Sequence, residues 1–81
     1  MVYQPRLPPH VAEMVTHLPP AIKQDVKRAL RVLSADPRAG LPLERELKGF
    51  WNYRIRSFRI VYEIRTEQRE LRVLAIEHRR H

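Results

Sequence analysis

Arginine is the residue type through which this chain is equipped to do chemistry. Arg54, Arg56 and Arg59 crowd into one short stretch, and Arg79 and Arg80 follow close to the end. A guanidinium is planar, stays protonated in proteins and holds two phosphate oxygens at once, so clustered arginines read phosphate and can stabilise charge gathering on phosphorus. The same permanent charge makes arginine a poor proton acceptor. Proton transfer in the second half of the chain therefore falls to His78, His81, Glu63 or Glu77. His78 suits it best, because an unperturbed imidazole titrates near about pH 6.5 and can accept or donate a proton. His81 lies in the terminal tail, where it either stacks on a base or is merely solvated.

Other chemistries find no residues. The chain has no cysteine, so it has neither disulfides nor thiolate metal sites. His10 and His17 can share a helix face, but no carboxylate pair beside them completes a metal site, and with Gly40 and Gly49 the only glycines no Gly-rich phosphate loop forms. No metal and no cofactor is expected. Lys and Arg number 16 against 9 Asp and Glu, a net charge of +7 with neutral histidines, which favours polyanionic partners. Ribosomal, DNA-binding and RNA-cleaving proteins share such a charge, so the placement of the cations must discriminate.

The elements that place these residues follow from periodicity. At 81 residues there is room for one core, so residues 1–81 are expected to form a single domain with a thin stability margin. No apolar run is long enough to span a membrane and the start, Met1 to Arg6, lacks the apolar stretch of a secretory signal, so a cytoplasmic protein with no membrane partner is expected. Met1 to Leu7 reads as a short strand, and Pro5 assigns it to an edge because proline cannot donate to a ladder.

Proline pairs Pro8-Pro9 and Pro19-Pro20 bracket two helical patterns. Val11, Met14, Val15 and Leu18 form one apolar stripe, and Ile22, Val26, Ala29, Leu30 and Leu33 a longer one. Pro20 suits a first helical turn and Asp36-Pro37 stops the second helix, which gives an antiparallel helical hairpin. Lys23, Lys27 and Arg31 line the opposite face of the longer helix, as a solvated face requires.

From Phe50 the period changes to two. Trp51, Tyr53 and Ile55 alternate with Asn52, Arg54 and Arg56, and Phe58, Ile60, Tyr62 and Ile64 alternate with Arg59, Val61, Glu63 and Arg65. A tight turn at Arg56-Ser57 sets Ile55 against Phe58, Arg54 against Arg59, Tyr53 against Ile60 and Trp51 against Tyr62. A slip of one residue would drive arginines into the apolar set. The helices are expected to cover the Trp51, Tyr53, Ile60 and Tyr62 face and to leave Arg54, Arg56 and Arg59 on the other. Opposed arginines repel unless an anion lies between them, although Glu63 or Glu77 can neutralise part of such a patch. Leu71 to Ile76, apolar on both parities apart from Arg72, reads as a central strand covered on both faces.

Two stretches carry a family resemblance. Leu47-Lys48-Gly49-Phe50-Trp51-Asn52-Tyr53-Arg54-Ile55-Arg56-Ser57-Phe58-Arg59-Ile60-Val61-Tyr62-Glu63-Ile64 resembles the central signature of RelE/ParE toxins, and Ala75-Ile76-Glu77-His78-Arg79-Arg80 resembles their closing motif. The order strand, helix, helix, three strands is also similar. The resemblance implies an α/β (α+β) fold: a largely antiparallel sheet packed on a helical hairpin.

It further implies a toxin of a type II toxin-antitoxin system that cuts ribosome-bound mRNA and so inhibits translation. The reaction is attack of a ribose 2′-OH on the adjacent phosphorus with loss of the 5′ oxygen. Arg54 and Arg56 stand where RNA-cleaving members place a basic pair, often lysines. Arg59 matches the basic residue of the next strand, and Arg79 the arginine of the closing motif, with His78 before it. These five residues are the implied catalytic set, and Lys48, Arg80 and His81 the implied RNA contacts. The implied partners are mRNA on the ribosome and a cognate antitoxin in a hetero-oligomer. ParE-type members poison DNA gyrase on the same scaffold, so a gyrase inhibitor, or a non-cleaving RNA- or antitoxin-binding homologue, is the alternative. The first hairpin is shorter than usual in the family and lacks its customary glycine.

Overall fold

Prolines set where the helices start. Pro9 and Pro20 each sit in a first helical turn, where a missing N–H forfeits no intrahelical bond, and Pro8 and Pro19 hold the entering chain extended. The structure, a computed structural model, describes residues 2–78. In chain order the elements are β1 (Gln4–Arg6), α1 (Pro9–Thr16), α2 (Pro20–Ala35), β2 (Leu41–Pro42), β3 (Phe50–Ile55), β4 (Phe58–Arg65) and β5 (Glu70–His78). Single 3-10 turns at Pro37–Ala39 and Arg45–Leu47 flank β2.

The sheet has five strands in the order β1-β5-β4-β3-β2. β1 pairs parallel with β5 and lies at an edge, as Pro5 requires; the other pairings are antiparallel. The β3–β4 register sets Ile55 against Phe58, Arg54 against Arg59, Tyr53 against Ile60 and Trp51 against Tyr62, as the alternation predicts. β2, which the periodicity does not reveal, adds a further edge by pairing Leu41 with Asn52 and Pro42 with Trp51.

One side of the sheet carries the core. Val11 of α1 and Val26, Ala29 and Leu33 of α2 bury against Ile55, Ile60, Tyr62, Leu71, Val73 and Ile76, with Trp51 and Tyr53 packed partly buried beside them. β4, not β5, is the middle strand. β5 lies one place outward and is interrupted: Val61 faces Ala75 while Tyr62 faces Val73, so Leu74 is left over as a β-bulge. The extra residue changes the parity of the strand. Leu71 and Val73 before it, and Ile76 after it, all reach the core side.

The connection from α2 to β3 is pinned by polar groups. The buried Tyr62 hydroxyl donates to the Pro37 carbonyl at 2.6 Å, and the Asn52 amide to the Leu41 carbonyl at 3.4 Å. Gly40 lies so close that a Cβ there would stand 2.5 Å from the Asn52 carbonyl oxygen and 2.6 Å from the Tyr62 hydroxyl.

Candidate functional site

The side of the sheet opposite the helices is built by the other strand parity. Across β3, β4 and β5, Arg54, Arg59 and Glu77 form one row of directly opposed residues, and Asn52, Val61 and Ala75 form the next. Glu63 and Arg72 oppose each other beyond, with Arg6 of β1 beside Arg72. Val61 is buried although it stands outside the core cluster, so this face has a small apolar centre between its cations.

Pairing removes some of those cations from play. Arg59 donates to one oxygen of Glu77, Oε2, through Nε at 2.9 Å and Nη2 at 2.8 Å. Arg6 Nε donates to Glu70 at 2.9 Å, and Arg65 stands 3.8 Å from Glu63. Arg54 and Arg72 are exposed and have no hydrogen bond or ion pair among the described residues. The face thus presents the unpaired Arg54 beside an arginine that is held in place, with the unpaired Arg72 two rows further along the sheet. Guanidiniums so placed have the chemistry to bind an extended anion bearing phosphates.

Three of the sequence-predicted residues stand elsewhere. Arg56 was expected beside Arg54 and Arg59, but it belongs to the hairpin turn, not the strand. Its φ of 52° lies in the left-handed region, and its guanidinium donates to Asp25 of α2, on the helical side. Without a glycine at the tip, the turn itself rotates this side chain off the strand parity. Asp25 also accepts from Arg28 at 3.0 Å, and the Arg56 hydrogen bond, with both positive charges, holds its carboxyl below the usual carboxylate range. His78 faces Phe58, its ring edge-on at 5.1 Å between centroids, on the side of the sheet away from Arg59. The bulge is the cause, since the same residues paired without it would have set Glu77 against Phe58 and turned His78 to the other side. Lys48 is exposed beyond Gly49 at the far end of β3, about 13 Å of strand or more from Arg54. Arg79, Arg80 and His81 lie outside the described residues.

Asp25, Arg28, Val32 and Ala29 of α2 line a shallow cleft of about 190 Å³ against Tyr53, Arg54 and Ile55 of β3. Val32 is 41% exposed there, large for an apolar side chain. β2 pairs β3 only at Trp51 and Asn52, which leaves the β3 edge unpaired alongside this cleft.

The model of the ParE toxin of type II toxin-antitoxin systems, parDE, matches residues 7–81. The chain belongs to that toxin family. Among solved structures, a chain of the toxin-antitoxin complex RelBE2 from Mycobacterium tuberculosis is 32% identical, with a TM-score of 0.87 over 98% of this chain and 100% of that one. A chain of the intact E. coli RelBE complex is 17% identical with a TM-score of 0.83, covering 98% and 99% of the two chains. One from the archaeal RelE-RelB complex of Pyrococcus horikoshii is also 17% identical, with a TM-score of 0.80 and coverage of 98% and 97%. No curated protein matches. The RelE/ParE toxin assignment and its α+β fold therefore rest on the family model and on whole-length superposition.

Proposed function

We propose that this toxin is an endoribonuclease that works without a metal, cuts mRNA on the ribosome and thereby stops translation in the cytoplasm. The observation that carries this reading is the open face itself: Arg54 directly opposite Arg59, with Arg54 left unpartnered and exposed. Opposed like charges cost stability, part of which Glu77 offsets at Arg59 and a bound anion would offset at Arg54. A scissile phosphate seated there would have its developing negative charge held by two guanidiniums as the 2′-OH attacks and the 5′ oxygen departs. Arg79, two residues after Glu77, is the proposed third cation, and Lys48, Arg80 and His81 are proposed to hold flanking nucleotides. His78 keeps its proposed role in proton transfer only if RNA wraps the sheet end near Phe58.

The proposed partner is a cognate antitoxin, since the solved structures similar to this one include toxin-antitoxin complexes. The cleft between α2 and β3, with exposed Val32 beside unpaired strand edge, suits an apolar segment of it, and acidic residues beyond would cover the arginines.

One observation favours a second reading, that of a gyrase inhibitor: His78 lies across the sheet from Arg59, so the described residues bring no imidazole to the arginine row. Primer extension on translated mRNA after induction separates the two. Cleavage within codons, with protein synthesis falling first in pulse labelling, is the expected outcome. Intact mRNA with DNA synthesis falling first would replace the nuclease reading with the gyrase one.

A further inference from the structure

Arginine side chains are long and rotamer-rich, so a guanidinium that must meet a phosphate in one orientation needs something to hold it. Arg59 is held. Two of its donors, Nε and Nη2, converge on a single oxygen of Glu77, which occupies the inner edge of the guanidinium. Nη1 has no partner among the described residues, and the outer edge formed by Nη1 and Nη2 stays available. Arg59 is one-third exposed and Glu77 about half, at 33% and 47%, so the pair sits at the surface where a ligand can reach it.

The pair exists because of the bulge. Leu74 is the residue without a partner on β4, and past it Glu77 comes to face Arg59 while Ile76 faces Ile60 in the core. A regular strand would send Glu77 to the buried side and break the row.

We infer that Glu77 is the positioning residue for Arg59. It grips the Nε edge of the guanidinium so that the outer edge, beside Arg54, points at a phosphate of the bound RNA. This rests on the nuclease reading for the identity of the ligand, but the grip itself is a property of the free toxin. A carboxylate near a phosphate is tolerable because Arg54 and Arg72 on the same face remain unneutralised.

The test compares wild type with Glu77→Ala and Glu77→Gln in the full-length toxin. The first measurement is the Arg59 Nε–H resonance in 15N-labelled protein, with and without a short 2′-O-methyl RNA. Wild type and Glu77→Gln, whose amide oxygen still accepts, should show a resolved, exchange-protected signal that shifts with RNA. In Glu77→Ala the signal should collapse toward that of a free arginine. The second is single-turnover cleavage on programmed ribosomes: Glu77→Ala should lose about 10-fold or more in the maximal cleavage rate with the half-saturating toxin concentration little changed, and Glu77→Gln should recover most of it. An equally protected Arg59 signal in Glu77→Ala overturns the inference. So does unchanged or faster cleavage, or tighter RNA binding, which would make Glu77 a counter-ion that competes with RNA. If wild type itself cleaves nothing, the nuclease reading falls and the resonance arm still decides the positioning.

Discussion

Tyr62 shows how one side chain can carry both packing and a polar tether. Its ring is fully buried against Trp51, at 6.5 Å between centroids, while its hydroxyl reaches the Pro37 carbonyl at 2.6 Å. Tyr62→Phe keeps the ring but leaves that carbonyl short of a donor in a dry place, so it should cost about 1–2 kcal/mol in urea unfolding. Burial pushes the phenol from 10.0 up to about 12. A folded-state value above the unfolded one means the folded state holds its proton more tightly. The associated stability is complete below about pH 10 and is lost as pH rises toward 12. Wild type should thus lose more stability than Tyr62→Phe across that window, and parallel curves would show that the hydroxyl is not the cause. Gly40 is the complement of the same tether. Gly40→Ala forces a methyl to within 2.5 Å of the Asn52 carbonyl oxygen and 2.6 Å of the Tyr62 hydroxyl, neither free to retreat. A loss of about 1–3 kcal/mol is expected in the same unfolding assay, and a neutral result would mean that the connection shifts freely.

At the level of elements, the bulge in β5 decides which residues can work together. Deleting Leu74 should close the bulge and leave the pairing as it is, with Ala75 opposite Val61, Ile76 opposite Ile60 and Glu77 opposite Arg59. With Ile76 still buried and Glu77 still outside, only the partial burial of Leu74 and the local twist of the bulge are lost, a cost of about 1–2 kcal/mol read as a modest fall in melting temperature. A large fall would show instead that the pairing slips, or that the twist of the bulge itself holds the sheet. This element also marks where the sequence stops being readable. The β3–β4 hairpin was legible because each slip would have placed arginines among Trp51, Tyr53, Ile60 and Tyr62, so one register stood out. In β5, Val73, Leu74, Ala75 and Ile76 are apolar without a break, and no alternation betrays the extra residue. Glu77 could be named as a counter-charge to the arginines, but the register that sets it against Arg59 was hidden, as was the side taken by His78. Arg56 misled for a related reason: parity arguments hold along a strand and end at the turn, where φ of 52° re-aimed the side chain toward Asp25. Arg54 and Arg59 were legible because they lie inside the regular part of the hairpin.

For the molecule as a whole, the net charge of +7 matters less than which cations are unspent. On the open face Arg6, Arg59 and Arg65 already face Glu70, Glu77 and Glu63, while Arg54 and Arg72 face no carboxylate within ion-pair distance among the described residues. A guanidinium that releases no internal partner on binding contributes its full share of counterion release from single-stranded RNA, about 0.7 in the slope of log K against log salt. Arg59 contributes through contact, but its charge is partly neutralised by Glu77 before RNA arrives. Arg54→Ala and Arg72→Ala should therefore each lower the magnitude of the slope by about 0.7, and the double variant by about twice that. Arg59→Ala should lower it less while harming cleavage more. All three should keep their melting temperatures within a few degrees, because exposed ion pairs contribute only about 0–1 kcal/mol. Fluorescence anisotropy of a short labelled RNA between low and physiological salt is sufficient to measure the slopes. The control is Lys27→Ala, on the exposed side of α2, which should change the slope little. Equal slopes for wild type and the Arg54/Arg72 double variant would move RNA off the open face, and a fall confined to Lys27→Ala would move it to the helices.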